Sequence, residues 1–245
     1  MKNSVPSVPV KVFIGYDHVE GESWYVAAHS IFKHSSVPVS VTPIRLSHLD
    51  GLMWRDRDPM QSNEFAFSRW LVPHLCNYEG WALFIDTDMM FRTDIAELFA
   101  LRDWRYAIQV VQHQPYVPKE QKKFLNTKQT AYERKNWSSV MLFNNARCRK
   151  LTPEFVNKAS GLELHQLRWL DDHEIGEIPR QWNHLVGVYD HDPDAKNVHW
   201  TIVGPWFECA READYANEYR AMKADMLNVQ EFVPEDSSII PKSAR

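Results

Sequence analysis

The sequence predicts one α/β domain built on a mixed, mostly parallel sheet that is flanked by helices. Short apolar segments of strand length alternate along the chain with segments in which apolar residues recur at helical spacing. Such alternation is typical of parallel sheets. The chain has 245 residues, of which 44% are hydrophobic, and this length suffices for one large core. Because no repeat or linker divides the sequence, we expect a domain over residues 1–230 and a disordered tail over residues 231–245.

The strand predictions rest on short apolar runs. They cover Val10 to Gly15, Val39 to Leu46, Trp81 to Ile85, Tyr106 to Val111 and Ser138 to Phe143. Pro43 lies in the second run and cannot donate a ladder hydrogen bond, so this strand is expected at an edge of the sheet.

The helix predictions rest on helical spacing and on residues that cap helices. They cover Glu20 to His34, Glu64 to Cys76, Asp94 to Leu101, a helix opened by Thr152 and Pro153, and Arg211 to Leu227. Asp94 and Thr152 are residue types that accept hydrogen bonds from the first turn of a helix. The polar segment Pro115 to Asn136 has little periodicity and is predicted to be a long loop or lid.

Composition limits the class of function. The formal net charge is −4, so the basic surface typical of nucleic-acid binding is not expected. Three widely separated cysteines have no metal-ligand spacing and are interpreted as reduced thiols. No apolar run reaches the length of a membrane span. We therefore expect a soluble, cytoplasmic protein, which is compatible with peripheral contact with a membrane.

Two carboxylates follow the most apolar strand, in the sequence Trp81-Ala-Leu-Phe-Ile-Asp-Thr-Asp88. Strand periodicity places Asp86 and Asp88 on one face, at a carboxyl strand end, where open α/β sheets bind ligands. Paired carboxylates repel each other unless a cation lies between them. Oxygen ligands suit Mg²⁺ or Mn²⁺. The alternative, that both residues belong to a turn after the strand, is equally compatible with the pair alone.

An ordered set of motifs resembles the family-eight glycosyltransferases, which have the Rossmann-like GT-A fold and an Asp-x-Asp (DxD) motif. Trp81 to Leu98 is similar to their central motif. The other matching segments, in order, are Val12 to Asp17, Phe67 to Arg69, Ser138 to Phe143, Leu170 to Asn183 and His199 to Trp206. Together they cover most of the chain.

The resemblance implies roles for individual residues. Asp86, Asp88 and His199 would hold the metal ion, Mn²⁺ or Mg²⁺. The donor nucleotide would lie against Gly15, Tyr16, Asp17, Arg69, Asp86, Thr87 and Asp88. Asp17 would accept a hydrogen bond from the base, although a capping role is nearly as compatible with its position.

Arg69 and Asp172 are the expected catalytic residues, again by resemblance. Arg69 would neutralise phosphate or bind the donor sugar, whereas the alternative is a surface ion pair. Asp172 would bind sugar hydroxyls or stabilise positive charge at the anomeric carbon, whereas the alternative is a helix N-cap.

Three departures from the family pattern predict a divergent branch. Gly204 stands where the family has a phosphate-binding lysine, and the interval from His199 to it is one residue short. His173 replaces a glutamine of the late motif, and Asn136-Trp-Ser-Ser139 replaces a motif that contains glycine.

The expected function is metal-dependent transfer of a sugar from a nucleotide-sugar donor, expected to be a UDP-sugar, to an acceptor hydroxyl with retention. The acceptor would be a carbohydrate, a glycolipid or a glycoconjugate. A sugar-phosphate nucleotidyltransferase is the first alternative, but the turn after the first strand has one glycine rather than a glycine-rich loop. A non-catalytic carbohydrate-binding protein is the second alternative; it explains the ten tryptophans but not the placement of Asp86 and Asp88.

Overall fold

The computed structural model describes residues 8–58, 61–114 and 133–228. Their nine strands are β1 (Val10–Gly15), β2 (Val39–Ile44), β3 (Trp81–Ile85), β4 (Met89–Phe91), β5 (Ile108–Val110), β6 (Val140–Asn144), β7 (Ile175–Glu177), β8 (His184–Leu185) and β9 (Asn197–His199). Their six α-helices are α1 (Gly21–His34), α2 (Val72–Leu75), α3 (Ile95–Ala100), α4 (Pro153–Lys158), α5 (Gly161–His165) and α6 (Ala216–Leu227). The tail predicted from residue 231 and residues 115–132 of the predicted loop lie outside the described residues.

A six-stranded sheet with the order β2-β1-β3-β6-β5-β7 forms the centre of the domain. β1 pairs in parallel with β2 and β3, and β5 pairs in parallel with β7. β6 runs antiparallel to both of its neighbours, β3 and β5. The mixed, mostly parallel sheet of the prediction is confirmed, and β2, which contains Pro43, is one of its two edge strands.

Alternating side chains of the central strands form two hydrophobic cores, one on each face of the sheet. Val12, Ile14, Leu83 and Ile85 pack on one face against α1 and α3. Phe13, Phe84 and Phe143 lie in the core of the other face, with residues of α2, α4 and α5. The sheet is therefore flanked by helices on both faces, as predicted.

Helix capping follows the sequence closely. The Asp94 side chain accepts a hydrogen bond from the Ala96 amide at the start of α3, and the Thr152 side chain accepts one from Phe155 at the start of α4. Satisfying these free amide groups fixes where each helix begins.

Two helix predictions were wrong in extent. Between residues 64 and 76 there is a 3₁₀ turn, Ser68–Leu71, followed by the single turn of α2. Pro73 lies in the first turn of α2, where its missing N–H costs nothing, so it opens a helix instead of ending one. The last helix begins at Ala216 and not at Arg211, because Tyr215 has a left-handed backbone (φ 62°).

A second, three-stranded sheet with the order β4-β9-β8 was not predicted. Its strands have two or three residues each, too few for a periodic signal. It packs with α6 and with Val26 of α1 in a third core, which includes Trp200 and Tyr219. Its first strand, β4, follows β3 along the chain, so this small sheet lies at one side of the predicted site. Among the described residues, no helix has the length and the apolar character needed to cross a membrane.

Candidate metal and donor site

Asp86, Thr87 and Asp88 link the two sheets, since β3 ends at Ile85 and β4 begins at Met89. Thr87 is fully buried, and its hydroxyl lies 3.4 Å from that of Ser23 in α1. Asp86 and Asp88, on either side of it, remain partly exposed. Thr87 therefore packs the link against α1, and its contact with a donor nucleotide stays a prediction.

His199 reaches the two carboxylates through the second sheet. It pairs with Met89 across the antiparallel β4–β9 ladder, and the next amide, of Trp200, donates to the Asp88 carbonyl (2.9 Å). Its side chain is 1% exposed, and its Nε2 atom lies 3.3 Å from Asp88 Oδ1. One ligand atom from each of Asp86, Asp88 and His199 lies within 4.8 Å of the other two. The shortened interval between His199 and Gly204 therefore leaves the imidazole beside the carboxylates.

The three side chains fit a hard divalent cation. Ligands about 2.1 Å from an octahedral ion are about 3 Å apart when adjacent, close to the 3.3 Å that separates His199 Nε2 from Asp88 Oδ1. Two carboxylates and one imidazole suit Mn²⁺ or Mg²⁺ and leave the remaining coordination positions for oxygen atoms of a ligand.

Arg69 lies beneath the site and is 4% exposed. Its Nη1 atom is 2.7 Å from Asp86 Oδ1 and donates to the Ser138 carbonyl at 2.8 Å. Its guanidinium also lies about 5 Å from the rings of Phe65 and Phe84. The alternative of a surface ion pair is thus wrong: this is a buried, charge-assisted contact that orients Asp86.

The turn Asn136 to Ser139 holds the two sides of the site together. The Ser139 carbonyl accepts from the Asp86 amide (3.0 Å), and the Ser139 hydroxyl accepts from the Asn183 amide (2.8 Å). Ser138 contacts Arg69 through its carbonyl and His165 Nδ1 through its hydroxyl (2.8 Å). Burial lowers the pKa of His165 to about 3, so its ring is neutral at physiological pH.

His199 is oriented by a buried amide. Its Nδ1 atom lies 2.9 Å from Asn183 Oδ1, and both residues are almost fully buried. A histidine that ligates a metal commonly donates its other ring N–H to an oxygen acceptor of this kind. Asn183 Nδ2 in turn lies 2.9 Å from Nε2 of buried His113.

Comparison of sequences places the chain among known proteins. It is 47% identical over 218 residues to Protein CDI of Arabidopsis thaliana, a match that covers 85% of this chain and 84% of that protein. The chain belongs to the CDI family. No protein-family model matches it.

Comparison of structures identifies the fold of this CDI family member as that of GT-A-type glycosyltransferases. The WbbM bifunctional glycosyltransferase superposes with a TM-score of 0.63 at 14% identity over 91% of this chain, which spans 51% of WbbM. GlyE of Streptococcus pneumoniae TIGR4 gives 0.58 at 13% identity, over 89% of this chain and 63% of GlyE. The galactosyltransferase LgtC, solved with donor and acceptor sugar analogues, superposes with a TM-score of 0.57 at 12% identity, over 91% of this chain and 98% of LgtC. The expected GT-A fold is confirmed.

The first-strand residues Gly15, Tyr16 and Asp17 lie at the carboxyl end of β1. A Cβ atom on Gly15 would lie 2.2 Å from the Phe65 ring, so glycine is needed there for packing. The carboxylate of Asp17 accepts hydrogen bonds from the amides of Val19 (3.0 Å) and Glu64 (3.1 Å). These contacts show a capping role for Asp17, and its contact with a nucleotide base stays a prediction.

Asp172 lies apart from the buried cluster, with its side chain 85% exposed. It forms an ion pair with Arg134 (2.6 Å), whereas the neighbouring Asp171 caps the 3₁₀ turn Asp172–Glu174. The alternative N-cap role therefore belongs to Asp171. The contact of Asp172 with a donor sugar stays a prediction.

Sequence reasoning missed His113 and His165 and did not assign a partner to Asn183. A usable signal existed for His113, because it follows a predicted strand at Val111, just as Asp86 follows β3. His165 gave no such signal, since it ends a one-turn helix and meets Ser138 only in the folded chain.

Proposed function

We propose that this CDI family member is a metal-dependent glycosyltransferase of the family-eight type, a divergent branch that uses its DxD pair to hold a nucleotide-sugar donor. The proposed reaction transfers the sugar of a UDP-sugar to a hydroxyl of a carbohydrate, glycolipid or glycoconjugate, with retention at the anomeric carbon. The convergence of Asp86, Asp88 and His199 within 4.8 Å, on a GT-A fold, carries the proposal.

The charge of the site supports a diphosphate ligand. When bound to this triad, a divalent cation would act as a Lewis acid and stabilise the negative charge of the departing diphosphate. The charges of Asp86 and Asp88 balance those of such an ion, and Arg69, 2.7 Å from Asp86, adds one net positive charge. A site with a net positive charge attracts a diphosphate, whereas a neutral sugar without a nucleotide gains no such attraction.

The chain's own groups have distinct tasks in this proposal. Arg69 is a positioning residue, since its guanidinium contacts Asp86, the carbonyl groups of Ser138 and Phe65, and aromatic rings. Asn183 orients His199 through Nδ1. Asp172, on the exposed Arg134 side, is the proposed contact with the donor sugar.

Metal-dependent release of UDP tests the proposal. A panel of UDP-sugars is incubated with the protein and Mn²⁺, and the UDP released to water or to added acceptors is measured with and without a chelator. We expect release from at least one donor, its loss with excess chelator and its return with Mn²⁺. Full activity in excess chelator would refute the metal site.

A matched pair of variants assigns any metal binding to the site. Asp88→Asn should lower the Mn²⁺ affinity measured with UDP by at least about 10-fold, since even groups that only orient a ligand contribute that much. Asp190→Asn removes the same charge from the exposed first residue of another Asp-x-Asp pair and should leave the Mn²⁺ affinity unchanged. Equal losses in both variants would show a nonspecific charge effect.

Nucleotide preference tests the donor. Calorimetry in the presence of Mn²⁺ should show tighter binding of UDP than of GDP or ADP. Equal affinity for the three nucleotides would remove the uridine assignment and leave the diphosphate site in place.

A further inference from the structure

A chain of buried hydrogen bonds leads away from the metal-binding triad on the side opposite Asp88. It runs from His199 Nδ1 to Asn183 Oδ1 (2.9 Å), from Asn183 Nδ2 to His113 Nε2 (2.9 Å), and from His113 Nδ1 to the Tyr189 hydroxyl (2.7 Å). His113, Asn183 and His199 are each buried. Polar groups in such surroundings keep their partners, because an unmade hydrogen bond there is costly.

The direction of these hydrogen bonds is fixed by Ser139. Its hydroxyl donates to the Asn136 carbonyl (2.7 Å), so the same oxygen can only accept from Asn183 (2.8 Å). The Asn136 carbonyl also lies 3.4 Å from the same Asn183 nitrogen. The amide NH₂ of Asn183 therefore faces Ser139 and His113, and its oxygen faces His199.

This orientation determines where the imidazole protons lie. Facing an amide oxygen, Nδ1 of His199 must carry a hydrogen, so in the neutral ring the lone pair is on Nε2. Facing an NH₂ group, Nε2 of His113 must accept, and burial lowers the pKa of His113 to about 3, so its remaining hydrogen is on Nδ1. That Nδ1–H donates to the Tyr189 hydroxyl.

We propose that His113 and Tyr189 are positioning residues that hold His199, through Asn183, in the tautomer whose Nε2 lone pair faces Asp88. In this state the imidazole is prepared to coordinate a divalent cation before one arrives. The role of this tautomer in metal binding rests on the proposed function, but the tautomer itself can be measured in the metal-free protein.

Buried His184 provides a matched control. Its ring centroid lies 6.0 Å from that of Tyr189, compared with 5.8 Å for His113. Among the described residues, neither ring nitrogen of His184 has a hydrogen-bond partner. Its replacement removes a buried imidazole from the same neighbourhood without breaking the chain to His199.

The test uses the full-length protein and four variants: His113→Leu, His113→Gln, Tyr189→Phe and His184→Leu. NMR of ¹⁵N-labelled histidines reports the His199 tautomer without metal, electron paramagnetic resonance with UDP reports Mn²⁺ affinity, and thermal unfolding checks folding. We expect His113→Leu to lower the population of the Nδ1–H tautomer and to weaken Mn²⁺ binding about 10-fold or more. Tyr189→Phe should act in the same direction but less, since it removes only the outermost acceptor.

The conservative and control variants separate positioning from packing. The Gln side chain of His113→Gln can accept from Asn183 and donate to Tyr189, so this variant should stay near wild type in tautomer and affinity. The His199 tautomer and the Mn²⁺ affinity of His184→Leu should also stay near the wild-type values. A merely structural role of His113 and Tyr189 would instead lower the thermal stability of His113→Leu and Tyr189→Phe while their His199 tautomer and Mn²⁺ affinity stay unchanged.

Two results would overturn the inference: a neutral wild-type His199 with its hydrogen on Nε2 and none on Nδ1, or unchanged tautomer and affinity in both His113→Leu and Tyr189→Phe. If His113→Leu does not fold, Tyr189→Phe alone decides. A tautomer that shifts as expected in a protein that binds no Mn²⁺ with UDP would support the positioning role and refute the proposed function.

Discussion

Replacing Arg69 by methionine tests the contact that orients Asp86. The substitution keeps an unbranched side chain but removes a guanidinium that lies 2.7 Å from Asp86 Oδ1 and 2.8 Å from the Ser138 carbonyl. Arg69 is 4% exposed and the Asp86 side chain 13% exposed, so solvent screens the remaining charge poorly.

The expected loss of stability follows from this burial. Removing one partner of a buried ion pair costs about 3–5 kcal/mol, because the other charge is left uncompensated. For a chain of this size, each kcal/mol shifts the melting temperature by about 2–4 °C. Arg69→Met should therefore melt about 6–20 °C below wild type, if unfolding is close to two-state.

Urea and thermal unfolding of three further variants complete the experiment: Asp86→Asn alone, Asp86→Asn combined with Arg69→Met, and Lys158→Met. Asp86→Asn combined with Arg69→Met should recover part of the loss, because the orphaned charge is removed. Lys158→Met removes a cation from an exposed ion pair with Glu154 and should melt close to wild type. A melting temperature of Arg69→Met within about 2 °C of wild type, or no coupling with Asp86→Asn, would refute a buried ion pair.

Three other predictions concern the buried histidines, Gly15 and Asp172. The pKa values of His113 and His165 are about 3 in the folded protein, compared with 6.5 for a free histidine. The unfolded chain thus binds more protons between these pH values, so stability should be complete above pH 6.5 and fall towards pH 3, by up to about 1.4 kcal/mol per pH unit for each histidine. His165→Leu should flatten that slope in urea titrations at several pH values, and an unchanged slope would contradict burial of a neutral ring. Gly15→Ala should lower the free energy of unfolding by about 1–3 kcal/mol, because the added methyl group overlaps Phe65, and urea unfolding would detect this loss. Adding Phe65→Leu to the same chain should recover part of the lost stability. Asp172→Asn should leave the melting temperature nearly unchanged, since the residue is exposed, and should lower turnover more than UDP affinity. Normal turnover would remove its catalytic assignment.

The features that could be predicted are those that leave a local pattern. The run Trp81 to Ile85 is buried along its whole length, and its apolar residues predict both the strand and the exit of the chain at Asp86. Asp94 and Thr152 predict helix starts because capping depends on the next two or three residues only.

The features that could not be predicted depend on contacts between distant residues. Nothing near Arg69 in the sequence indicates that it meets Asp86, because the two residues come together only in the folded chain. The second sheet escaped prediction for a related reason. Its short strands are stabilised by the packing of Trp200 and Tyr219, and packing has no signature within a window of three residues.

The position of β6 has a consequence for how the protein assembles. This strand lies between β3 and β5, both of which precede it in the chain. The central sheet therefore cannot be completed until residues 140–144 have been synthesised. The chain is synthesised from its amino end, whereas a domain folds as a unit. Asp86 and Asp88 are therefore present first as two carboxylates that repel each other, and the turn at Ser139 and the imidazole of His199 reach them later. A chain that ends before β9 therefore contains Asp86 and Asp88 but lacks His199, the third candidate metal ligand.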